Sequence, residues 1–260
     1  MTEENELRNI AKKLRNANGF SPIPAIHDEI NGPEDAYKIQ KINREIWVTE
    51  GRHETGFKVA FTTPEAQKIF GTNEPVYGSL FADMSFPTCH EIPPTKMARP
   101  KLEGEIVLEL GKDLPAKKIS NEKVISSVNA FYVALEIPDG SFIGEFNAVD
   151  MIADNAAAAG YVLGDRQLIT HDTNLATLSM EMRQNSKLVS TGNSSACMGN
   201  PMNVLIWLQS ALAKRNEGLK AGQIIYCGSL VPIIQAQPGD SFHAIVDGSG
   251  SASCSFTSTS

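Results

Sequence analysis

The segment EGEIVLELG, residues 103–111, constrains the fold more than any other in the chain. Its alternation has the period of a β-strand. Glu103, Glu105, Val107 and Glu109 share one face, and Gly104, Ile106, Leu108 and Leu110 share the other. Glu103 and Glu105 therefore point the same way, with Cβ atoms about 6–7 Å apart. Two carboxylates aimed at one point repel unless something positive lies between them. A hard cation such as Mg2+ or Mn2+ takes oxygen ligands of this kind. A solvated edge strand, with carboxylates outward and Ile and Leu inward, explains the same pattern without function.

Two further residues extend the metal reading. Glu136 ends the apolar stretch VNAFYVALEI, either just past the core edge or as a ligand at its mouth. Three carboxylates plus waters make an open octahedral site. Lys58 lies inside GFKVAF, and alternation puts it opposite Phe57. It is either a surface lysine with a snorkelling stem or a partly buried ammonium that meets developing negative charge. Asp154 and Asn155 precede four alanines, and capping of a helix start accounts for them. The serine-rich segment 190–196, with Gly192, reads as a turn near an anion but matches no phosphate-binding loop.

The remaining sequence supplies helices and short strands. Leu7, Ile10, Ala11 and Leu14 predict an amphipathic helix over 3–17. Pro33 opens a second, with Ala36, Ile39, Ile42 and Ile46 on one face. TGFKVAFT reads as a strand, Thr62-Thr63-Pro64 as a cap, and 64–70 as a short helix. Residues 121–130 read as a helix, and 168–183 alternate loosely as strands do. Asn200-Pro201 opens the best helix, with Leu205, Leu208 and Leu212 on one side. Short strands and tight turns follow Gly222. The expected class is α+β, a strand-rich, twisted mixed β core with flanking helices. A small helical N-terminal region, 1–50, precedes a β-rich metal-binding region, 51–260.

With 260 residues the chain buries roughly 70% of its unfolded surface, enough for a core and an enclosed pocket. A net charge of −7 disfavours a nucleic-acid backbone as partner, because no surplus of cations exists to release counterions. Cys89, Cys197, Cys227 and Cys254 are widely spaced, without CxxC, and read as buried free thiols in a reducing compartment. No signal peptide and no long apolar run is present, so the expectation is cytoplasmic, with no membrane partner. There is no GxSxG, HExxH or GxGxxG, and His27, His53, His90, His171 and His243 are scattered.

Taken in order, EDAYKIQ, GFKVAFTTPEAQKIFG, EPVYGSLFADM, RPKLEGEIVLELGKDL, ALEIPDG, DMIADNAAAAGYVLGD and the long stretch from STGNSSACMGN to GSL carry a resemblance, with the tail PGDSFHAIVDGSGSASCSF. Over residues 34–256 the chain resembles the 2-keto-4-pentenoate hydratase / 4-oxalocrotonate decarboxylase family of the fumarylacetoacetate hydrolase superfamily. The resemblance implies a twisted mixed β core, Mg2+ or Mn2+ held by Glu103, Glu105 and Glu136, an active-site Lys58, and Asp83 lining the pocket. It also implies homo-oligomers, with a pathway enzyme as a further partner. Two departures stand out. The family pattern has Asp-Ser-Arg after the third ligand, where this chain has Pro138-Asp139-Gly140-Ser141 and no arginine. Ala157 stands where many members have serine.

The activity this implies is hydration of a 2-hydroxy-2,4-dienoate, or its 2-oxo-enoate tautomer, to a 4-hydroxy-2-oxo acid in the catabolism of ring-cleaved aromatic compounds. Lys58 would add positive charge or move a proton near the C2 oxygen, and Asp83 would orient water. No organic cofactor is implied. Decarboxylation of a 2-oxo-3-enedioate is the alternative, and GSLVP at 228–232 resembles hydratases somewhat more. Acylpyruvate hydrolysis, with His27 beside Asp28 and Glu29 as base, and a non-catalytic partner subunit are further alternatives.

Overall fold

The computed structural model describes residues 3–93 and 95–258. The helix Glu3–Asn16 buries Leu7, Ile10, Ala11 and Leu14 against the helix Pro33–Thr49. Pro33 suits the first turn, where its missing N–H would have no partner. Ala36 and Ile39 of that helix are buried, and its neighbour in space is the short helix Ala148–Ala153. Gln40, buried among them, donates from Nε2 to the carbonyls of Tyr77 and Ile152, both at 2.8 Å. The N-terminal helices are thereby tied to a sheet strand.

That sheet has nine strands and is mixed and curled into a half-barrel. Along it the neighbours are Val76–Phe81, Glu54–Ala60, Ile224–Ser229, Lys101–Leu110, Val128–Pro138, Ala158–Leu163 and Ser85–Phe86. Ile224–Ser229 runs parallel to Glu54–Ala60 and antiparallel to Lys101–Leu110. Two-residue strands, Gln167–Leu168 and Ile234–Gln235, extend the edges of the pairing. The α+β class with a twisted mixed core is what the sequence predicts.

Lys101–Leu110 lies in the middle of this sheet, not at its edge. Ile106, Val107 and Leu108 are all fully buried, so both of its faces are covered. One face looks into the curl. The other shares an apolar cluster with a second, five-stranded sheet that supplies Met180, Met182, Phe242 and Ala244. A Cβ at Gly104 would lie 2.5 Å from Met180 Sδ, so a side chain there would have to displace that methionine of the second sheet. The helix Pro201–Ala213 packs Leu205, Leu208 and Leu212 into the same cluster, and Asn200 caps it by accepting from the Met202 N–H at 2.9 Å.

Several expectations change. The helix expected over 121–130 is confined to Asn121–Ile125, because the apolar side chains from Val128 onward pair with the strand of Glu103. Residues 190–196 form the end of the strand Lys187–Asn193 and a 3-10 turn, Ser194–Ala196, rather than an anion-facing loop. Within 168–183 only Ser179 onward continues as a strand of length, after a 3-10 turn at Leu175–Thr177. Asp154 closes the helix Ala148–Ala153, which Asn147 caps, and precedes the 3-10 turn Asn155–Ala157 without capping it, its carboxylate accepting instead from the Ser141 N–H at 2.8 Å. Cys89 is exposed, and the other three thiols are buried and free. No helix among the described residues is long and apolar enough to cross a membrane.

Candidate metal centre and its cavity

Strand register brings the acidic residues together. Glu103 is paired opposite Glu136 in the antiparallel ladder between Lys101–Leu110 and Val128–Pro138. Glu105 stands two residues further on the same face. One ligand oxygen from each of the three lies within 4.8 Å of the others. Lys58 comes from across the curl, where it pairs with Tyr226 in the parallel ladder. Its Nζ donates to Glu136 Oε2 at 2.8 Å. Lys58 is 3% exposed and Glu136 is fully buried, so this ion pair is shielded from solvent.

A further contact comes from the backbone. The Gly228 N–H donates to Glu105 Oε2 at 2.7 Å. Pairing between Ile224–Ser229 and the Glu105 strand shifts register between Tyr226 and Ser229, and Gly228 sits in that shift at φ 90°. A Cβ there would meet Thr62 Oγ1 at 2.5 Å. Sequence reasoning singled out the carboxylates and missed Gly228. Its signal was a glycine inside an otherwise apolar strand.

The charges are unbalanced. With three carboxylates ionised, one ammonium leaves two negative charges uncompensated. Among the described residues, Glu105 Oε1 and Glu136 Oε1 are buried and accept no hydrogen bond. Burial pushes the Glu105 carboxyl well up from its ordinary value, and the charges of Glu103 and Glu136 push it further. Burial also raises Glu136, and the opposing Lys58 ammonium does not cancel that effect. Burial alone would lower Lys58, but Glu136, Glu103 and Glu105 outweigh it and hold the ammonium protonated. A buried charge without a partner is costly. An oxygen-only donor set with two unpaired oxygens and a double negative excess fits a hard divalent cation.

The cluster opens on a cavity of about 760 Å³. Lys58 and Glu103 line it, with Phe61, Phe70 and Phe146 on its walls and Arg99 and Lys101 among the charged lining residues. The loop after Glu136 has no arginine of its own and is held by residues 98 and 99. Asp139 accepts from the Ala98 and Arg99 N–H groups, and Arg99 Nη2 donates to the carbonyls of Gly140 and Phe142, both at 3.1 Å. Ala157 also lines the cavity, where Asn155, Ala156 and Ala157 all take positive φ.

Two expected residues lie elsewhere. Asp83 is outside the cavity lining, and its carboxylate pairs with Arg52 Nη2 at 2.9 Å on the surface. His27 is also outside the lining. Its Nδ1 lies 2.6 Å from Asp150 Oδ2, an oxygen that also accepts from Asn147 N.

Residues 50–257 match the model of the fumarylacetoacetate hydrolase C-terminal family. The chain is 33% identical to a 2-keto-4-pentenoate hydratase of Burkholderia vietnamiensis, over 99% of this chain and all of the relative. It is 34% identical to one of Paraburkholderia xenovorans, over 98% and 95%. This chain belongs to the fumarylacetoacetate hydrolase superfamily, in its 2-keto-4-pentenoate hydratase and decarboxylase group. That group carries out hydratase and decarboxylase chemistry on 2-oxo and 2-hydroxy dienoates in the breakdown of aromatic compounds. Among solved structures, the 4-oxalocrotonate decarboxylase from Pseudomonas putida G7, complexed with magnesium and adipate, superposes with a TM-score of 0.92. It shares 26% identity and covers 98% of both chains.

Proposed function

We propose that this chain is a divalent-metal-dependent lyase for a 2-oxo unsaturated carboxylate, and that its reaction is loss of carbon dioxide from a 2-oxo-3-enedioate. The observation that carries this reading is the convergence of Glu103, Glu105, Glu136 and Lys58 at a cavity large enough for such an acid. Glu103, Glu105 and Glu136 would hold the cation, Mg2+ or Mn2+. When bound, it supplies Lewis acidity toward the C1 carboxylate and C2 oxygen of a 2-oxo acid.

The protein's own groups then have distinct tasks. Lys58, fixed by Glu136, presents a protonated amine to the C2 end of the substrate, where negative charge develops. The bond from C5 to the C6 carboxylate breaks, and its electron pair moves through C4 and C3 to the C2 oxygen. A proton from Lys58 then completes the 2-hydroxydienoate. Gly228 keeps Glu105 in place through its N–H. Arg99 and Lys101, on the cavity lining, are the cations suited to steer the distal carboxylate inward. Phe61 and Phe70, stacked on one another in the cavity wall, would limit water around the breaking bond. The structural match to a decarboxylase over nearly the whole of both chains supports this outcome.

Hydration is the second reading, favoured by the activity in the names of the most similar curated relatives. It would need a water at C4, and Asp139 is the cavity-lining carboxylate outside the three candidate ligands. Product mass separates the two. Metal-loaded protein given 2-oxohex-3-enedioate is expected to release a product lighter by carbon dioxide. A gain of one water on 2-hydroxypenta-2,4-dienoate, with the enedioate untouched, would replace decarboxylation by hydration.

A further inference from the structure

The cavity lining combines two unlike chemistries. It holds the buried Lys58 and half-buried Glu103. Apolar side chains open to solvent line it as well, Ile69 at 77% exposed, Ile233 at 46% and Phe146 at 36%, with Arg99, Lys101 and Asp139 among the polar lining. Single exposed apolar side chains are ordinary, but several lining one cavity mark a binding surface.

An aromatic series runs along the cavity lining. Phe61 follows Lys58 by three residues and stacks on Phe70, ring centroids 4.2 Å apart. Phe70 lies 6.0 Å from Phe146, and Phe146 lies 6.2 Å from Phe142. Phe61 takes a φ of 59°, an uncommon conformation for a bulky residue. Gln67 Nε2 holds it there by donating to its carbonyl at 2.9 Å. Strain of this kind persists where surrounding contacts enforce it, often beside a ligand.

Size points the same way. A six-carbon keto diacid fills on the order of 200 Å³, below the roughly 300–1,000 Å³ of cavities that enclose larger ligands. The cavity here measures about 760 Å³. Phe61, Phe70 and Phe146 are among the walls of that larger space.

We propose that the substrate is a 2-oxo acid bearing an extended apolar group, an alkyl chain or aryl ring, on the carbons beyond C3, lying along Phe61, Phe70 and Phe146. This rests on the metal-centred reading of Glu103, Glu105, Glu136 and Lys58, and deepens it by naming the substrate class. It holds for either outcome at the reacting carbons, because the group occupies the wall and not the cation site.

Saturated 2-oxo acids test it, since they lack the alkene and bind without reacting. Calorimetric titration of the Mn2+-loaded protein with 2-oxobutanoate, 2-oxooctanoate and 2-oxo-4-phenylbutanoate is expected to show the two larger acids binding about tenfold tighter or more. Ile69→Ser and Ile233→Ser, both at exposed positions that leave the core intact, are expected to reduce that gain by about threefold or more. Affinity for 2-oxobutanoate should stay within about twofold in both variants. Equal affinities for the three acids, with 2-oxobutanoate bound, would overturn this inference alone. A long-chain gain unchanged in both variants would also overturn it. Absence of 2-oxobutanoate binding would remove the metal-centred reading, and the inference with it.

Discussion

Glu105 carries an unusual burden for one side chain. It is buried, has one oxygen on the Gly228 N–H and the other on nothing, and faces two more carboxylates. Removing its charge should therefore act in opposite senses with and without metal. In chelator-treated protein, Glu105→Gln is expected to raise unfolding free energy by about 1–3 kcal/mol, because a buried like charge disappears. With saturating Mn2+ the same variant should fall below the wild type, because stabilisation by ligand binding is lost. Denaturant melts under both conditions check the crossing, and a variant less stable in both would contradict it. Lys58→Met is expected to lower turnover by about 100-fold or more while metal affinity changes only a few fold. Full activity in that variant would remove Lys58 from the chemistry. At this scale the candidate site was legible: alternation put Glu103 and Glu105 on one face, and Glu136 stood out as a charge ending an apolar run. Asp83 was not legible, because a short acidic motif says nothing of which way its loop turns. The structure turns it toward Arg52.

Elements explain what single residues do not. The Glu105 strand looks like an edge strand by alternation, yet it is paired on both sides, and a second sheet covers the face that Gly104 leaves bare. A pattern of period two reports which side chains share a face, and not what covers each face. The helix expected over 121–130 failed for a related reason. Val128, Ala130 and Phe131 gain more from pairing in the large sheet than from continuing a helix begun by Asn121. Gly228 belongs to this scale, because it sets the register shift that aims one N–H at Glu105. Gly228→Ala is expected to cost about 1–3 kcal/mol of stability, through its positive φ and the clash with Thr62. It should also weaken Mn2+ binding, and an unchanged melt would show that the shift tolerates a side chain.

The segment before the second helix gives a pH prediction at the same scale. His27 Nδ1 meets Asp150 Oδ2 at 2.6 Å, joining that segment to the helix Ala148–Ala153. The hydrogen bond to Asp150 raises the imidazole above its ordinary value of 6.5, against desolvation and with help from the charges of Asp150 and Asp28. A raised imidazole favours the folded state most when protonated. Its contribution is complete below the ordinary value and is lost as pH rises through the folded one. The stability advantage of wild type over His27→Gln should therefore be largest in mild acid and shrink above neutrality in chemical melts. An advantage that grows with pH would reverse the sign of this coupling.

Over the whole molecule, the curl of one sheet determines the account. It brings Lys58 from one strand to Glu136 on another three places along, across Ile224–Ser229 and Lys101–Leu110. No local pattern specifies that curvature. The sequence marked the four residues separately, and strand order and twist supply their convergence. The aromatic cavity wall was likewise invisible beforehand, because Phe61, Phe70 and Phe146 are scattered in sequence and meet only through folding. The most direct test of the central claim is a calorimetric titration of metal-free protein with Mn2+, wild type beside Glu105→Gln. One tight site per chain is expected in the wild type, and a site weakened by about 100-fold or more in the variant. Equal binding in the two proteins, or no binding in either, would contradict that claim.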